Sequence, residues 1–145
     1  MGLKRTPIKR KPARKRKKPP TRRVRQKRMT VKAKKMWADR IKQDQQCFFA
    51  GKMVGGKRHV CKGYLQAMHC FGKKAYPASR FELWNGICGC AAAHTYYTYH
   101  PVEWTHWLMD HWGEELYWEH YQIARGVAHV DLEGVIAALS EEQKP

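Results

Sequence analysis

The first 35 residues contain no aspartate and no glutamate, and the first acidic side chain is Asp39. This segment nevertheless holds 18 of the 29 lysines and arginines of the chain. Residues 36–145 hold 11 basic against 12 acidic residues, so the net charge of +17 belongs to the N-terminal segment. A like-charged block cannot bury enough apolar surface to offset its ordering entropy. We therefore expect residues 1–29 to form a disordered basic arm.

The composition of the arm favours a polyanion as its partner, because each neutralised phosphate releases counterions. Lys9, Arg10, Arg14 and Arg16 are candidates for contacts with DNA phosphates. A solubilising or targeting role would explain the same charge. A membrane surface is disfavoured, because residues 1–28 contain no aromatic side chain that could insert.

The chain also lacks an apolar run long enough to span a bilayer, and no signal-peptide pattern precedes the basic block. We expect a soluble, cytoplasmic protein with no membrane partner. Its oligomeric state cannot be inferred from the sequence. Five cysteines are many for a domain of about 110 residues. In a reducing compartment this usage indicates metal ligation or buried thiols rather than disulfides.

Residues 30–145 are expected to form one domain. Thr30 is a candidate N-cap for a helix over 31–46, and Cys47 to Cys61 has the glycines of a turn between short extended pieces. A strand is expected within Val60–Phe71, and a loop from Lys73 to Phe81. Helices are predicted over 101–112 and 114–124, and a last one is capped by Asp131. Residues 91–99 read as a helix from their three alanines, although their aromatic residues fit either state. The aromatic residues from Trp104 to Tyr121 recur at helical spacing, which favours helix packing over base stacking.

An ordered series of potentially chemical residues runs from Cys47 to Pro101. It comprises a cysteine-bearing segment, a histidine, an Arg-Phe pair, an asparagine, a second cysteine-bearing segment and a histidine in a predicted helix. In order these are Cys47 and Cys61, His69, Arg80-Phe81, Asn85, Cys88 and Cys90, and His94. The order and spacing resemble the HNH (His-Asn-His) endonuclease superfamily, and within it the small phage recombination nucleases of the NinG kind.

The resemblance implies an α+β fold with a small zinc-stapled ββα-metal core. This core would cover about 47–101, with C-terminal helices over about 102–141. It also implies a metal-dependent endonuclease that hydrolyses DNA, with branched recombination intermediates as one substrate class. If the protein is phage-encoded, its compartment is the cytoplasm of the bacterial host.

The resemblance assigns roles to individual residues. His69 would be the general base, since a histidine near its reference pKa of about 6.5 can accept a proton from water at neutral pH. Asn85 would hold the loop that orients His69. His94, together with His69, would bind one catalytic divalent cation, Mg²⁺, Mn²⁺ or Zn²⁺. Arg80, Lys73 and Lys74 would contact DNA phosphates.

Simpler explanations exist for two of these residues taken singly. A buried structural histidine would account for His69, and a plain Asn-Gly turn would account for Asn85. One departure from the family pattern affects the metal. Many members have an Asp or His immediately before the base, whereas this chain has Met68, a poor ligand for a hard cation. Gln66, His100, water or the substrate phosphate would then have to complete the coordination.

The cysteines predict a second metal. Cys47, Cys61, Cys88 and Cys90 would form a closed tetrahedral site for one structural Zn²⁺. The spacing contains no CxxC pair, and the CxC of Cys88 and Cys90 is tight for one ion, so Cys88 could instead be a buried thiol. Cys70 is the cysteine left over.

Two other functions fit parts of the sequence. A zinc-stabilised, non-catalytic DNA- or RNA-binding protein would keep the arm and the cysteines without needing His69. A ribosome- or RNA-associated basic protein would explain the arm and make the His-Asn-His order a coincidence.

Overall fold

The computed structural model describes residues 19–126 and 129–141. The arm predicted for residues 1–29 therefore lies mostly outside the described residues, and with it Lys9, Arg10, Arg14 and Arg16. The described chain contains five α-helices and two small antiparallel sheets. This confirms the prediction of an α+β fold.

The first helix, α1 (Arg22–Ile41), begins inside the segment predicted to be disordered. Its N-cap is Thr21, whose hydroxyl accepts a hydrogen bond from the Val24 N–H at 3.4 Å. The predicted cap, Thr30, lies within the helix, where its hydroxyl donates to the Gln26 carbonyl at 3.0 Å. A helix in this region is confirmed, but its predicted bounds were wrong, because α1 begins at Arg22 and ends at Ile41. Residues 22–29, assigned to the arm, are therefore helical.

Two hairpins follow α1. Strands β1 (Met53–Val54) and β2 (Lys57–Arg58) are joined by Gly55 and Gly56, with φ of +58° and +72°. Positive φ at both turn positions is characteristic of a two-residue hairpin turn, and glycine adopts it without strain. Strands β3 (Leu65–His69) and β4 (Gly86–Cys90) are antiparallel, with Leu65 opposite Cys90 and His69 opposite Gly86. A long loop connects them and ends in a 3-10 turn, Leu83–Asn85.

Four helices complete the described chain: α2 (Ala91–Tyr99), α3 (Pro101–Trp112), α4 (Glu114–Arg125) and α5 (Leu132–Glu141). These confirm the four predicted helices. Pro101 occupies the first turn of α3, and Gly113, at φ of +83°, separates α3 from α4. Asp131 accepts a hydrogen bond from the Glu133 N–H at 3.1 Å, as expected for a residue that caps α5.

The buried residues form two clusters. The larger packs Phe49 and Phe71 against α2, α3 and α4, and its rings include Trp104, Trp107 and Tyr117. This confirms that the aromatic run packs helices together. The smaller cluster joins α1 to α5, and its buried members are Ala33, Trp37, Phe81, Leu132 and Leu139.

Among the described helices, none combines the length and the apolar composition that are needed to cross a lipid bilayer.

Candidate active site and metal centre

The elements β3, β4 and α2 follow one another and position the three residues of the His-Asn-His pattern. His69 ends β3, Asn85 immediately precedes β4, and His94 lies on the first turn of α2. His69 and His94 line one cavity of about 470 Å³. Residues from α1, β3, the following loop, α2 and α3 surround it. The two histidines of the pattern therefore line a shared cavity, and Asn85 lies outside its lining.

His69 is half-buried and held on two sides. The indole of Trp37 stacks on its ring, with centroids 4.2 Å apart and planes at 18°. Its Nε2 lies 3.0 Å from the carbonyl oxygen of Arg80. Because a carbonyl only accepts, Nε2 carries the proton, and Nδ1 keeps a free lone pair.

The surroundings of His69 favour the neutral imidazole. Burial lowers the pKa of His69 below 6.5, and the charges of Lys73 and Arg80 lower it further, whereas the hydrogen bond to the Arg80 carbonyl opposes this. The neutral form is therefore dominant at neutral pH, and it is the form that can accept a proton.

Asn85 ties the loop after His69 to β4. Its side chain is fully buried. The amide oxygen accepts a hydrogen bond from the Phe71 N–H at 2.6 Å, and the amide nitrogen donates to the carbonyls of Phe71 and Ser79 at 3.2 and 3.0 Å. These are amide hydrogen bonds of the kind expected of a residue that holds this loop. A plain Asn-Gly turn would not require them.

His94 has one ring nitrogen engaged. Nδ1 forms a hydrogen bond with the side-chain oxygen of Gln66, so Nδ1 is the donor and Nε2 keeps its lone pair. Burial, followed by the charge of Lys73, lowers the pKa of His94. A neutral imidazole whose second nitrogen donates to an oxygen is the usual state of a histidine that binds a metal.

Other ligands for a catalytic cation are scarce at this site. Met68 is buried at 2% exposure, with its sulfur packed against Gly89. His100 is exposed, stacks on Tyr96 and hydrogen-bonds to the Tyr96 carbonyl at 2.7 Å, so it does not line the cavity. Among the described residues that line the cavity, none is a carboxylate. The described lining of the cavity thus offers one imidazole, that of His94, beside His69.

Two lysines contribute positive charge to the cavity. Lys34 of α1 and Lys73 of the loop line it directly. The charges of Lys34, Arg80 and Lys74 all act on Lys73 and, after burial, lower its pKa. The Nε of Arg80 is buried without a hydrogen-bond partner in the described chain, and its guanidinium lies 4.8 Å over the Phe81 ring. Such a rim attracts an anion.

A separate cluster could hold a metal ion. The ligand atoms of Cys47, His59, Cys61 and Cys90 all lie within 4.8 Å of one another. Cys47 follows α1, His59 and Cys61 follow the β1–β2 hairpin, and Cys90 ends β4. Three sulfurs and one imidazole nitrogen are a donor set that suits a tetrahedral zinc ion.

Hydrogen bonds stabilise the thiolate form of Cys90. Desolvation raises its pKa, but hydrogen bonds from Ala93 and Lys62, and then from His59 and Ala92, outweigh it and lower the pKa to about 6. Two of these donors belong to the first turn of α2, where Cys90 is the N-cap. The His59 Nε2 lies 3.1 Å from the Cys90 sulfur, and the Cys90 N–H donates to the Cys47 sulfur at 3.2 Å.

The predicted zinc set was correct for Cys47, Cys61 and Cys90 as members of the cluster and wrong for Cys88. Cys88 lies within β4 and is buried, which agrees with the alternative of a buried thiol. His59 takes the fourth place and was not identified from the sequence. The signal was the His-x-Cys spacing of His59 and Cys61. Cys70 is buried with its thiol 3.8 Å from the Trp84 carbonyl, outside the cluster as expected.

This chain matches no protein-family profile, no curated protein and no solved structure.

Proposed function

We propose that this protein is a metal-dependent endonuclease of the HNH type that hydrolyses DNA phosphodiester bonds. The observation that carries the proposal is the single cavity lined by His69 and His94, with Lys34 and Lys73 at its edge. A neutral histidine, a second histidine with a free nitrogen and a cationic rim are the groups that phosphodiester hydrolysis needs.

His69 would act as the general base. Its Nδ1 would take a proton from the attacking water while its Nε2–H stays on the Arg80 carbonyl, and the Trp37 ring would keep the imidazole oriented. Asn85 would fix the loop that carries the neighbouring backbone. Lys73 and Lys34 would bind the non-bridging phosphate oxygens and bring the scissile phosphate to His69.

The Nε2 of His94 would hold the catalytic cation, Mg²⁺, Mn²⁺ or Zn²⁺. When bound, such a cation supplies charge neutralisation at the phosphate and stabilises the leaving oxygen. Gln66 would orient His94 by accepting its Nδ1–H, a positioning role rather than that of a ligand. Since no lining residue is a carboxylate, water and phosphate oxygens would complete the coordination.

The second cluster would hold one structural Zn²⁺. Its ligands Cys47, His59 and Cys61 come from the segment around the β1–β2 hairpin, and Cys90 immediately precedes α2. An ion with four protein ligands has no open position for substrate, so its contribution would be to stability. It would fasten this segment to the helix that carries His94.

Cleavage of supercoiled plasmid and of a synthetic four-way junction, with added Mg²⁺, Mn²⁺ or Zn²⁺, tests the proposal. Wild-type protein is expected to nick DNA in at least one of these ions. His69→Ala should lose roughly 100-fold or more of the rate, the usual contribution of a general base. His100→Ala is the matched control, because His100 is exposed and outside the cavity. Equal activity of His69→Ala and wild type would remove His69 from the mechanism.

A second candidate is a zinc-stabilised nucleic-acid-binding protein without nuclease activity. The observation that favours it is Met68 in the position before the base, together with a cavity lining that has no carboxylate. Binding of DNA by wild-type protein with no cleavage in any of the three ions would select this candidate.

A further inference from the structure

Helix α1 carries a row of cations on the flank that leads to the cavity. Arg23, Lys27, Thr30 and Lys34 are spaced by four, three and four residues, which places them on one side of a helix. The three basic side chains are exposed. At about 1.5 Å per residue, the row extends roughly 16 Å along the helix axis. We name Arg23, Lys27 and Lys34 the α1 track.

Both ends of the α1 track adjoin concave surfaces. Lys34 lines the cavity that contains His69. Arg23 and Lys27 line a shallow depression of about 640 Å³, together with Thr30 and His129. Trp37, one helical turn beyond Lys34, stacks on His69 and donates from its indole nitrogen to the Glu82 carbonyl at 3.0 Å. The helix is therefore fixed relative to the candidate base.

The charges of the α1 track are left unneutralised, unlike several others on the same helix. Arg25 pairs with Glu133 of α5 at 3.1 Å, and Lys35 pairs with Asp39 at 3.0 Å. Within the described chain, Arg23, Lys27 and Lys34 form no ion pair. Arg23 and Lys27 are about 6 Å apart along the helix axis, and Lys27 and Lys34 about 10.5 Å. This row of unpaired cations, continued by Lys73 at the cavity, presents successive positive charges to an extended polyanion.

We infer that the α1 track binds consecutive phosphates of duplex DNA and leads one strand to the cavity at His69. The choice of DNA rests on the proposed function. Along the duplex axis each strand advances about 3.4 Å per phosphate, so a length of roughly 16 Å spans about five phosphates and lets the three cations of the track contact separate ones. A single-strand site would need exposed rings on which bases stack. The one aromatic residue of α1 is Trp37, which is 2% exposed, so the track contacts backbone and not bases.

The test compares two pairs of substitutions in the full chain, on a His69→Ala background and without added divalent cation. Lys27→Gln with Lys34→Gln removes two charges from the track. Arg28→Gln with Lys32→Gln removes two exposed charges from another flank of the same helix. Glutamine has nearly the helix propensity of lysine and arginine, so the helix is preserved. Binding to a short DNA duplex is measured over a range of salt concentrations.

The track pair should reduce the slope of log affinity against log salt by roughly 1.8 in magnitude, about 0.9 for each phosphate that is no longer neutralised, and the control pair by much less. Equal reductions in both pairs, or none in the track pair, would overturn the inference. A larger reduction in affinity for a single strand of the same sequence than for the duplex would overturn the assignment to duplex DNA.

Cleavage by the wild-type protein is measured separately. If the track pair reduces the salt dependence of binding but the wild-type protein does not cleave DNA, the inference about the α1 track holds and the proposed nuclease activity is rejected. If the wild-type protein cleaves DNA but the track pair and the control pair have the same salt dependence of binding, the proposed nuclease activity holds and the inference about the α1 track is rejected.

Discussion

At the scale of single residues, the three residues of the His-Asn-His order lie near one another in the fold, and their catalytic roles stay predictions. His69 and His94 share a cavity, and Asn85 forms amide hydrogen bonds with Phe71 and Ser79. The sequence could not show which backbone group orients His69. That partner is the carbonyl of Arg80, a residue singled out only for its side chain. Backbone acceptors carry no sequence signature, so such contacts are found only once the fold is known.

The charges around His69 predict the pH dependence of cleavage. Burial and nearby cations lower the pKa of His69 below 6.5, and its neutral form is the proposed base. The rate should therefore rise with pH through a midpoint below 6.5 and be level at neutral pH. Lys73→Gln should move this midpoint to higher pH, because it removes a like charge that acts on the imidazole.

Rate profiles of single-turnover cleavage against pH measure both midpoints. Lys74→Gln is the matched control, because its charge acts on Lys73 and does not contribute to the pKa shift of His69. A midpoint that stays in place in Lys73→Gln would mean that the observed ionisation is not that of His69.

At the scale of elements, local sequence signals predicted the turns and helix limits, but the sequence did not predict contacts between residues far apart in the chain. Pro101 and Gly113 marked the limits of α3, and the glycines between Cys47 and Cys61 indicated turns around short extended pieces, where the structure has the β1–β2 hairpin. The cluster of Cys47, His59, Cys61 and Cys90 could not be predicted from local signals, because it forms only when that hairpin folds onto Cys90, far along the chain. His59 was indistinguishable in the sequence from the other histidines except by its spacing to Cys61.

The limits of α1 also depended on a long-range contact that the sequence did not predict. The excess of positive charge indicated disorder up to residue 29, yet the helix begins at Arg22. Met29, Ala33 and Trp37 recur every four residues and pack in the cluster shared with α5. Burial of this face against α5, with the Arg25–Glu133 ion pair, gives the basic segment a surface on which to order.

If the cluster of Cys47, His59, Cys61 and Cys90 holds zinc, two neighbouring cysteines, Cys88 and Cys90, should behave differently. Purified protein should contain about one tightly bound zinc, as in closed sites of this type. Cys90→Ser should lose the zinc and lower the thermal midpoint, because metal-binding energy is also folding energy. Cys88→Ser should keep the zinc, because Cys88 lies outside the cluster. Zinc content by elemental analysis and thermal unfolding measure both effects.

His59→Ala extends this comparison to the ligand that was not identified from the sequence. It should weaken zinc binding, whereas His106→Ala, at an exposed position of α3, should not. Loss of zinc in Cys88→Ser with retention in His59→Ala would restore the all-cysteine set and contradict the cluster.

At the scale of the whole molecule, α1 connects the smaller buried cluster to the candidate site. Its inner face packs against α5, Trp37 contacts His69, and its pocket-side flank carries the α1 track. The charge of the chain is therefore not confined to a separate arm, as the sequence suggested. Part of it is displayed on a helix that is fixed beside the cavity. Affinity for DNA should then have two contributions, from residues 1–18 and from α1.

Two truncations separate these contributions. Residues 1–18 hold ten lysines and arginines, so their removal should weaken binding to duplex DNA and reduce its salt dependence by roughly 0.9 for each phosphate that these residues neutralise. Thermal unfolding should be unchanged, because α1 and its Thr21 cap remain.

Removal of residues 1–28 also deletes Arg25, Arg23, Lys27 and the start of α1, so it should reduce the salt dependence further and lower the thermal midpoint. Cleavage by both truncated proteins should persist at high protein concentration, since the cavity is intact. If the salt dependence of the shorter truncation equals that of the full chain, residues 1–18 do not touch DNA and α1 supplies the affinity alone.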